Sequence, residues 1–195
     1  MKYEDFIQSK RMTVPDSGFD IEHGEINNQL FQYQKDIVVW ALRKGKAAIF
    51  ADCGMGKTPM QLEWAKHVCN QTGDNVLILA PLAVSQQTAR EGIKFGINVT
   101  VAKSINDLQP GINITNYERL HLFDPSEFTG IVLDESSILK AQFGATRHEI
   151  TNFASTIPYR LAASATPAPN DLTELINHAE FFGIMRESEI KALFF

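Results

Sequence analysis

Apolar residues along this chain fall into short continuous runs, separated by longer stretches in which they recur every three or four positions. The runs at 46–51, 75–80, 97–102, 111–115, 130–134 and 159–163 have the unbroken character of strands buried on both faces. Most are separated by stretches of helical period, at 29–44, 57–71, 82–95, 144–156 and 170–182. Strands alternating with helices predict a mainly parallel sheet covered on both sides. In the helix from 57, the period is carried by Met60, Leu62, Trp64, Ala65 and Val68. Pro59 falls in its first turn, where a missing N–H costs little, and Gly73 suits its C-terminal stop. Residues 1–25 are polar and irregular, with Pro15 and Gly18, and are expected to form an extension ahead of one domain over 26–195.

Three of the predicted strands run directly into residues with chemistry. After Ala47-Ala48-Ile49-Phe50 comes Ala51-Asp52-Cys53-Gly54-Met55-Gly56-Lys57-Thr58. A strand, a glycine turn and a Lys-Thr pair opening a helix make a cradle for a triphosphate. Gly54, Met55 and Gly56 would turn backbone N–H groups toward phosphate oxygens, and the helix N-terminus adds unpaired donors and a favourable dipole. Lys57 can reach the outer phosphates, and the Thr58 hydroxyl can ligate Mg²⁺. After Ile131-Val132-Leu133 comes Asp134-Glu135-Ser136-Ser137. At the end of a parallel strand, Asp134 would hold a hard cation and Glu135 would orient or deprotonate an attacking water. After Tyr159-Arg160-Leu161-Ala162 comes Ala163-Ser164-Ala165-Thr166-Pro167. Its hydroxyls could hydrogen-bond the Asp134–Glu135 pair. Each segment alone also has a bland reading: a glycine turn, a strand end capped by solvated acids, and a Ser/Thr turn before a strand-breaking proline.

In this order the segments resemble motifs I, II and III of superfamily 2 helicases of the DEAD/DEAH type. Ala51, where other P-loops begin with Gly, fits that group better than kinases or GTPases. Leu30-Phe31-Gln32-Tyr33-Gln34 resembles a Q motif, in which the Gln34 amide would read the adenine edge. Phe19 and Phe31 are both candidates to stack on the base, and Phe31 and Tyr33 fit equally well as core residues of their helix. Leu79-Ala80-Pro81-Leu82 resembles motif Ia, and Ile114-Thr115-Asn116-Tyr117-Glu118 resembles motif Ib. That resemblance implies that Pro81, Leu82, Asn116 and Tyr117 approach a nucleic-acid strand through loops and backbone amides. The run at 133–140 and the segment Pro167–Leu175 resemble the Swi/Snf-like branch, particularly its phage and prophage members. Ser137 departs from the Asp or His of DEAD and DEAH proteins.

The resemblance implies an α/β fold of the P-loop NTPase class, a RecA-like three-layer sandwich. It implies an ATP-dependent DNA helicase or translocase that uses ATP and Mg²⁺. Lys57, Asp134 and Glu135 would be catalytic, Thr58 and Asp134 would hold the metal, and Ser164 and Thr166 would couple nucleotide state to strand contacts. Such motors pair two domains and take an arginine finger from the second, a contribution on the order of 10³–10⁵ in rate in related NTPases. The chain reaches Phe195 soon after motif III, so the expectation is a first motor domain alone, weak or inactive without its partner domain. A small kinase or other P-loop NTPase, and a non-catalytic nucleic-acid-binding scaffold retaining the fold, are the alternatives. The first is opposed by Ala51 and the ordered motifs, the second by the presence of all four of Lys57, Thr58, Asp134 and Glu135.

Composition changes this picture little. With 195 residues and 44% apolar content the chain can bury one sizeable core. A net charge of −5 supplies no general attraction for phosphate backbones. Lys94, Lys103, Arg119, Lys140 and Arg147 could line a groove locally, or equally be solvated surface. The resemblance, not the charge, carries the nucleic-acid expectation, with DNA preferred over RNA as partner. Cys53 and Cys69 are too few for a disulfide framework or zinc site, and the five histidines lack metal-ligand spacing. Cys53 sits close enough to the cradle to be a reactive thiol or simply a small filler. The start Met1-Lys2-Tyr3-Glu4 has no signal-peptide character, and no apolar run reaches the about 18 residues a membrane span needs. The expected home is the cytoplasm of a bacterium or phage-infected cell, with no membrane partner.

Overall fold

A computed structural model describes residues 14–140, 144–168 and 174–194. Six strands form one wholly parallel sheet: β1 (Lys46–Phe50), β2 (Asn75–Ala80), β3 (Val99–Val101), β4 (Ile112–Asn116), β5 (Phe128–Asp134) and β6 (Tyr159–Ser164). Their order in space is β1-β6-β5-β2-β4-β3. The helices are α1 (Gln32–Lys44), α2 (Lys57–Thr72), α3 (Leu82–Lys94), α4 (Gly144–Ala154), α5 (Leu175–Phe182) and α6 (Glu187–Phe194). All six expected strands and all five expected helices are present, most with ends moved by one to three residues. The first part of the helix expected over 170–182, and much of the segment 167–175, lie outside the described residues. The helix α6 had no counterpart in the periodicity.

Continuous apolar runs become buried strands because both faces of the sheet are covered. On one side, Val38, Leu42, Met60, Leu62, Trp64 and Val68 pack with Val76, Ile78, Ile114, Val132 and Leu161. On the other, Leu77, Leu79, Ile131 and Leu133 meet Leu120, Phe123, Ile150, Phe153 and Phe181. The two sets alternate along β2, as a pleated strand requires. The helix α2 is buried from Pro59 through Ala65 and packs on β5 and β6, so it is enclosed rather than amphipathic. It ends where Gly73 takes the left-handed conformation, with φ 77° and its N–H donating to Cys69 O at 2.8 Å. Ahead of α1, Ser17, Gly18 and Phe19 donate backbone hydrogen bonds to Lys44 O, Arg43 O and Leu42 O, which seats this stretch on the helix end.

The strand order decides the site. Successive strands β5 and β6 return beside β1, so β1, β6 and β5 are adjacent and parallel. Three loops that are far apart in sequence therefore emerge side by side at the C-terminal edge, where parallel α/β sheets place their ligands.

Candidate functional site

The loop after β1 is shaped by Gly54 (φ 79°) and Gly56 (φ 74°). A Cβ on Gly56 would meet the Gln34 amide, and the left-handed backbone there favours glycine. The loop satisfies much of its own polarity. Lys57 Nζ donates to Ala51 O at 2.9 Å and Asp52 O at 3.1 Å, and Cys53 N–H donates to Asp52 Oδ1 at 2.7 Å. The Cys53 thiol-bearing residue is exposed. Behind the loop, Gln34 is buried and accepts from Phe31 N–H at 2.9 Å through Oε1. Its Nε2 donates to Met55 O at 3.2 Å, and Tyr33 Oη donates to the same carbonyl at 3.1 Å. The structure separates the two aromatic candidates. Phe19 packs edge-on against Tyr159 beside the core, whereas Phe31 is 69% exposed and stacks on Tyr33 beside Gln34.

Asp134 ends β5 facing α2, where Gln61 Nε2 donates to its Oδ1 at 2.9 Å. Burial pushes the Asp134 carboxyl above the usual aspartate range. The Gln61 hydrogen bond opposes the shift, the nearby charge of Glu135 adds to it, and that of Lys57 opposes it. Glu135 holds a left-handed backbone at φ 60°, the sole non-glycine residue to do so among the described residues. Its Oε1 accepts from Ser164 Oγ at 2.7 Å, and Ser164 Oγ in turn accepts from Thr166 N–H at 3.0 Å. The structure thus brings Lys57, Asp134, Glu135, Ser164 and Thr166 to one sheet edge, with Thr58 in the first turn of α2.

Beside Glu135 lies a pocket of about 350 Å³ lined by Pro81, Leu82, Tyr117, Glu118, Glu135, Ser137 and Ile138. Leu82 is 65% exposed. Asn116 and Tyr117 are buried, and Tyr117 Oη donates to Asp134 O at 2.7 Å. Burial, with the charges of Asp134 and Glu135, holds this phenol well above its usual pKa, so it remains a donor. Arg147, one of the candidate groove cations, instead donates through Nη1 to Asn177 Oδ1 at 2.6 Å. Side-chain placement of Lys140 lies outside the described residues.

Sequence reasoning missed Gln61, Ser136 and His178. Ser136 Oγ and His178 Nε2 are 3.0 Å apart and both residues are buried, which ties α5 to the end of β5. For Gln61 a signal existed: an amide between Met60 and Leu62, four residues after Lys57, where the helical period is apolar.

The architecture is that of the RecA-like P-loop cores of SWI2/SNF2 ATPases and helicases. The SWI2/SNF2 ATPase core of Sulfolobus solfataricus, solved in complex with dsDNA, superposes with a TM-score of 0.72 at 22% identity over 88% of this chain. The UvsW helicase of bacteriophage T4 superposes with a TM-score of 0.66 at 16% identity over 95% of it. Among curated proteins, the human DNA excision repair protein ERCC-6-like is 28% identical over 185 residues, which take in 80% of this chain. The chain spans 15% of that human protein, 40% of the Sulfolobus core and 66% of the UvsW chain. No family model matches the sequence. Among the described residues, no helix is long and apolar enough to cross a membrane.

Proposed function

We propose that this chain is the ATP- and Mg²⁺-binding first motor domain of a DNA translocase or helicase of the Swi/Snf-like type. The observation that carries the reading is the convergence of Lys57, Asp134, Glu135 and Ser164 at the ends of three neighbouring strands. The residues present fit a bound Mg²⁺–nucleotide. Gly54 has open space where a side chain would stand, the Lys57 ammonium rests on loop carbonyls at the cradle, and buried Gln61 Oε1 has no hydrogen-bond partner. Thr58 and Asp134 would hold the metal, which supplies neutralisation of phosphate charge when bound.

In this reading the loop N–H groups and Lys57 bind the phosphates. Gln34 positions the loop through Met55 O; to read the adenine edge its amide would exchange the bonds it holds to Phe31 N–H and Met55 O, with Phe31 as stacking surface. Glu135 orients the attacking water and takes its proton, and its bond to Ser164 links that carboxylate to the segment leading into Thr166. Pro81, Leu82 and the backbone at Asn116 and Tyr117 form the nucleic-acid side, and the shared pocket lets strand contacts bear on Glu135. A second motor domain completes the cleft in the whole protein, so this chain alone binds nucleotide weakly and hydrolyses it slowly. Calorimetry with Mg²⁺–ATP tests the reading. Saturable binding is expected for the unaltered chain and none at millimolar nucleotide for Lys57→Ala. Equal binding by both would overturn it, and robust DNA-stimulated turnover by this chain alone would remove the need for a second domain.

A further inference from the structure

Gln61 is a side chain of the site that no motif accounts for. It lies on α2 one turn beyond Lys57, is 1% exposed, and sits among Met60, Leu62 and Trp64, which are fully buried. Burying an amide in such company is unfavourable unless its polar atoms are used. One of them is: Nε2 donates to Asp134 Oδ1 at 2.9 Å, across 73 residues of sequence. The other, Oε1, is buried without a hydrogen-bond partner. The same amide therefore fixes one oxygen of a carboxylate and leaves an unused acceptor beside it. Mg²⁺ dehydrates reluctantly and keeps several waters, each of them a donor seeking an acceptor. Residues that hold a ligating carboxylate in place contribute to metal affinity although they do not touch the ion.

We propose that Gln61 is the positioning residue of the divalent-cation site. Through Nε2 it fixes the Asp134 carboxylate that would hold the ion, and its unpartnered Oε1 would accept a hydrogen bond from the ion's hydration shell. This rests on the nucleotide-binding reading above. It explains why an amide occupies this position: a carboxylate would repel Asp134, and an apolar side chain would supply neither the donor nor the acceptor.

The test is titration of Mn²⁺ by electron paramagnetic resonance at saturating non-hydrolysable ATP analogue, beside binding of the same analogue without metal. Gln61→Met keeps volume and removes the amide. It is expected to weaken Mn²⁺ about tenfold while metal-free analogue binding stays within about twofold. In an Asp134→Ala background the same substitution is expected to have no further effect, because Gln61 acts through that carboxylate and its ion. Gln61→Asn retains an amide one methylene short of Asp134; it is expected to show the same loss and serves if Gln61→Met fails to fold. Unchanged Mn²⁺ affinity in either folded variant would overturn the proposal, as would equal losses of metal-dependent and metal-free binding. If the unaltered chain binds no analogue, or Lys57→Ala binds it as well, the nucleotide-binding reading itself falls. Normal wild-type binding with an indifferent Gln61 overturns only the role assigned here.

Discussion

Lys57 and Glu135 are each held by partners within the protein: the lysine by two carbonyls of its own loop, the glutamate by the Ser164 hydroxyl. A nucleotide bound as proposed would compete with these bonds, so the site as it stands is a bonded arrangement rather than an open charge pair. Glu135 also keeps a left-handed backbone, a conformation that costs a non-glycine residue about 1–3 kcal/mol and is retained where surrounding structure over-determines it. Substituting Glu135→Gln preserves shape and backbone and removes the base proposed above. Single-turnover assays are expected to show hydrolysis lowered by about 10²–10⁴-fold, with Mg²⁺–ATP binding unchanged. Retained hydrolysis would reassign the base.

At the scale of elements, the start of β6 is anchored by one guanidinium. Arg160 is 5% exposed, and donates through Nε to Ile157 O at 2.8 Å, Nη1 to Phe181 O at 2.6 Å and Nη2 to Ser155 O at 2.8 Å. It thereby joins the end of α4, the end of α5 and the strand leading to Ser164. Burial lowers its pKa, yet arginine stays charged, and three well-aimed carbonyls offset the lost hydration. Lysine cannot fork across three carbonyls. Arg160→Lys is expected to lower unfolding stability by about 1–3 kcal/mol in urea titration, and a loss near zero would show that the network contributes little.

Over the whole molecule, the buried carboxylate of Glu63 draws together stretches distant in sequence. Its Oε1 accepts from Asn27 N–H at 3.0 Å, Lys66 Nζ at 3.0 Å and His67 Nε2 at 2.9 Å, while Asn27 Nδ2 donates to Phe95 O at 2.8 Å. The segment before α1, the middle of α2 and the end of α3 meet at this point. Burial alone would raise the carboxyl's pKa, but the His67, Lys66 and Asn27 hydrogen bonds and the Lys66 charge outweigh it and hold it below the usual glutamate range. A lowered folded pKa adds stability that is fully present above the unfolded value of about 4.3 and is lost as pH falls through the folded one. Urea midpoints are therefore expected to fall below that pH in the unaltered chain. Glu63→Gln should cost about 1.5–3 kcal/mol at neutral pH and flatten the acid limb; identical acid limbs in the two proteins would exclude Glu63 as its source.

The sequence by itself determined the alternation of elements, because an apolar run of five or six residues and a 3.6-residue period are local signals that packing here reinforces. It also located the loop at 51–58 and the ends of β5 and β6, since glycines, Lys-Thr and paired acids depart visibly from the apolar background. Gly73 was legible as a stop for the same reason: its need for positive φ is a property of one residue. Only the tertiary structure decided that β1, β6 and β5 are neighbours, because strand order depends on crossovers that no local pattern encodes. It alone chose Phe31 over Phe19 as the exposed aromatic beside Gln34, and it alone turned Tyr117 inward onto Asp134 O. Gln61, Arg160 and Glu63 belong to the same class: polar residues whose partners lie up to 73 positions away, and whose roles exist only once folding has removed the water that would otherwise satisfy them.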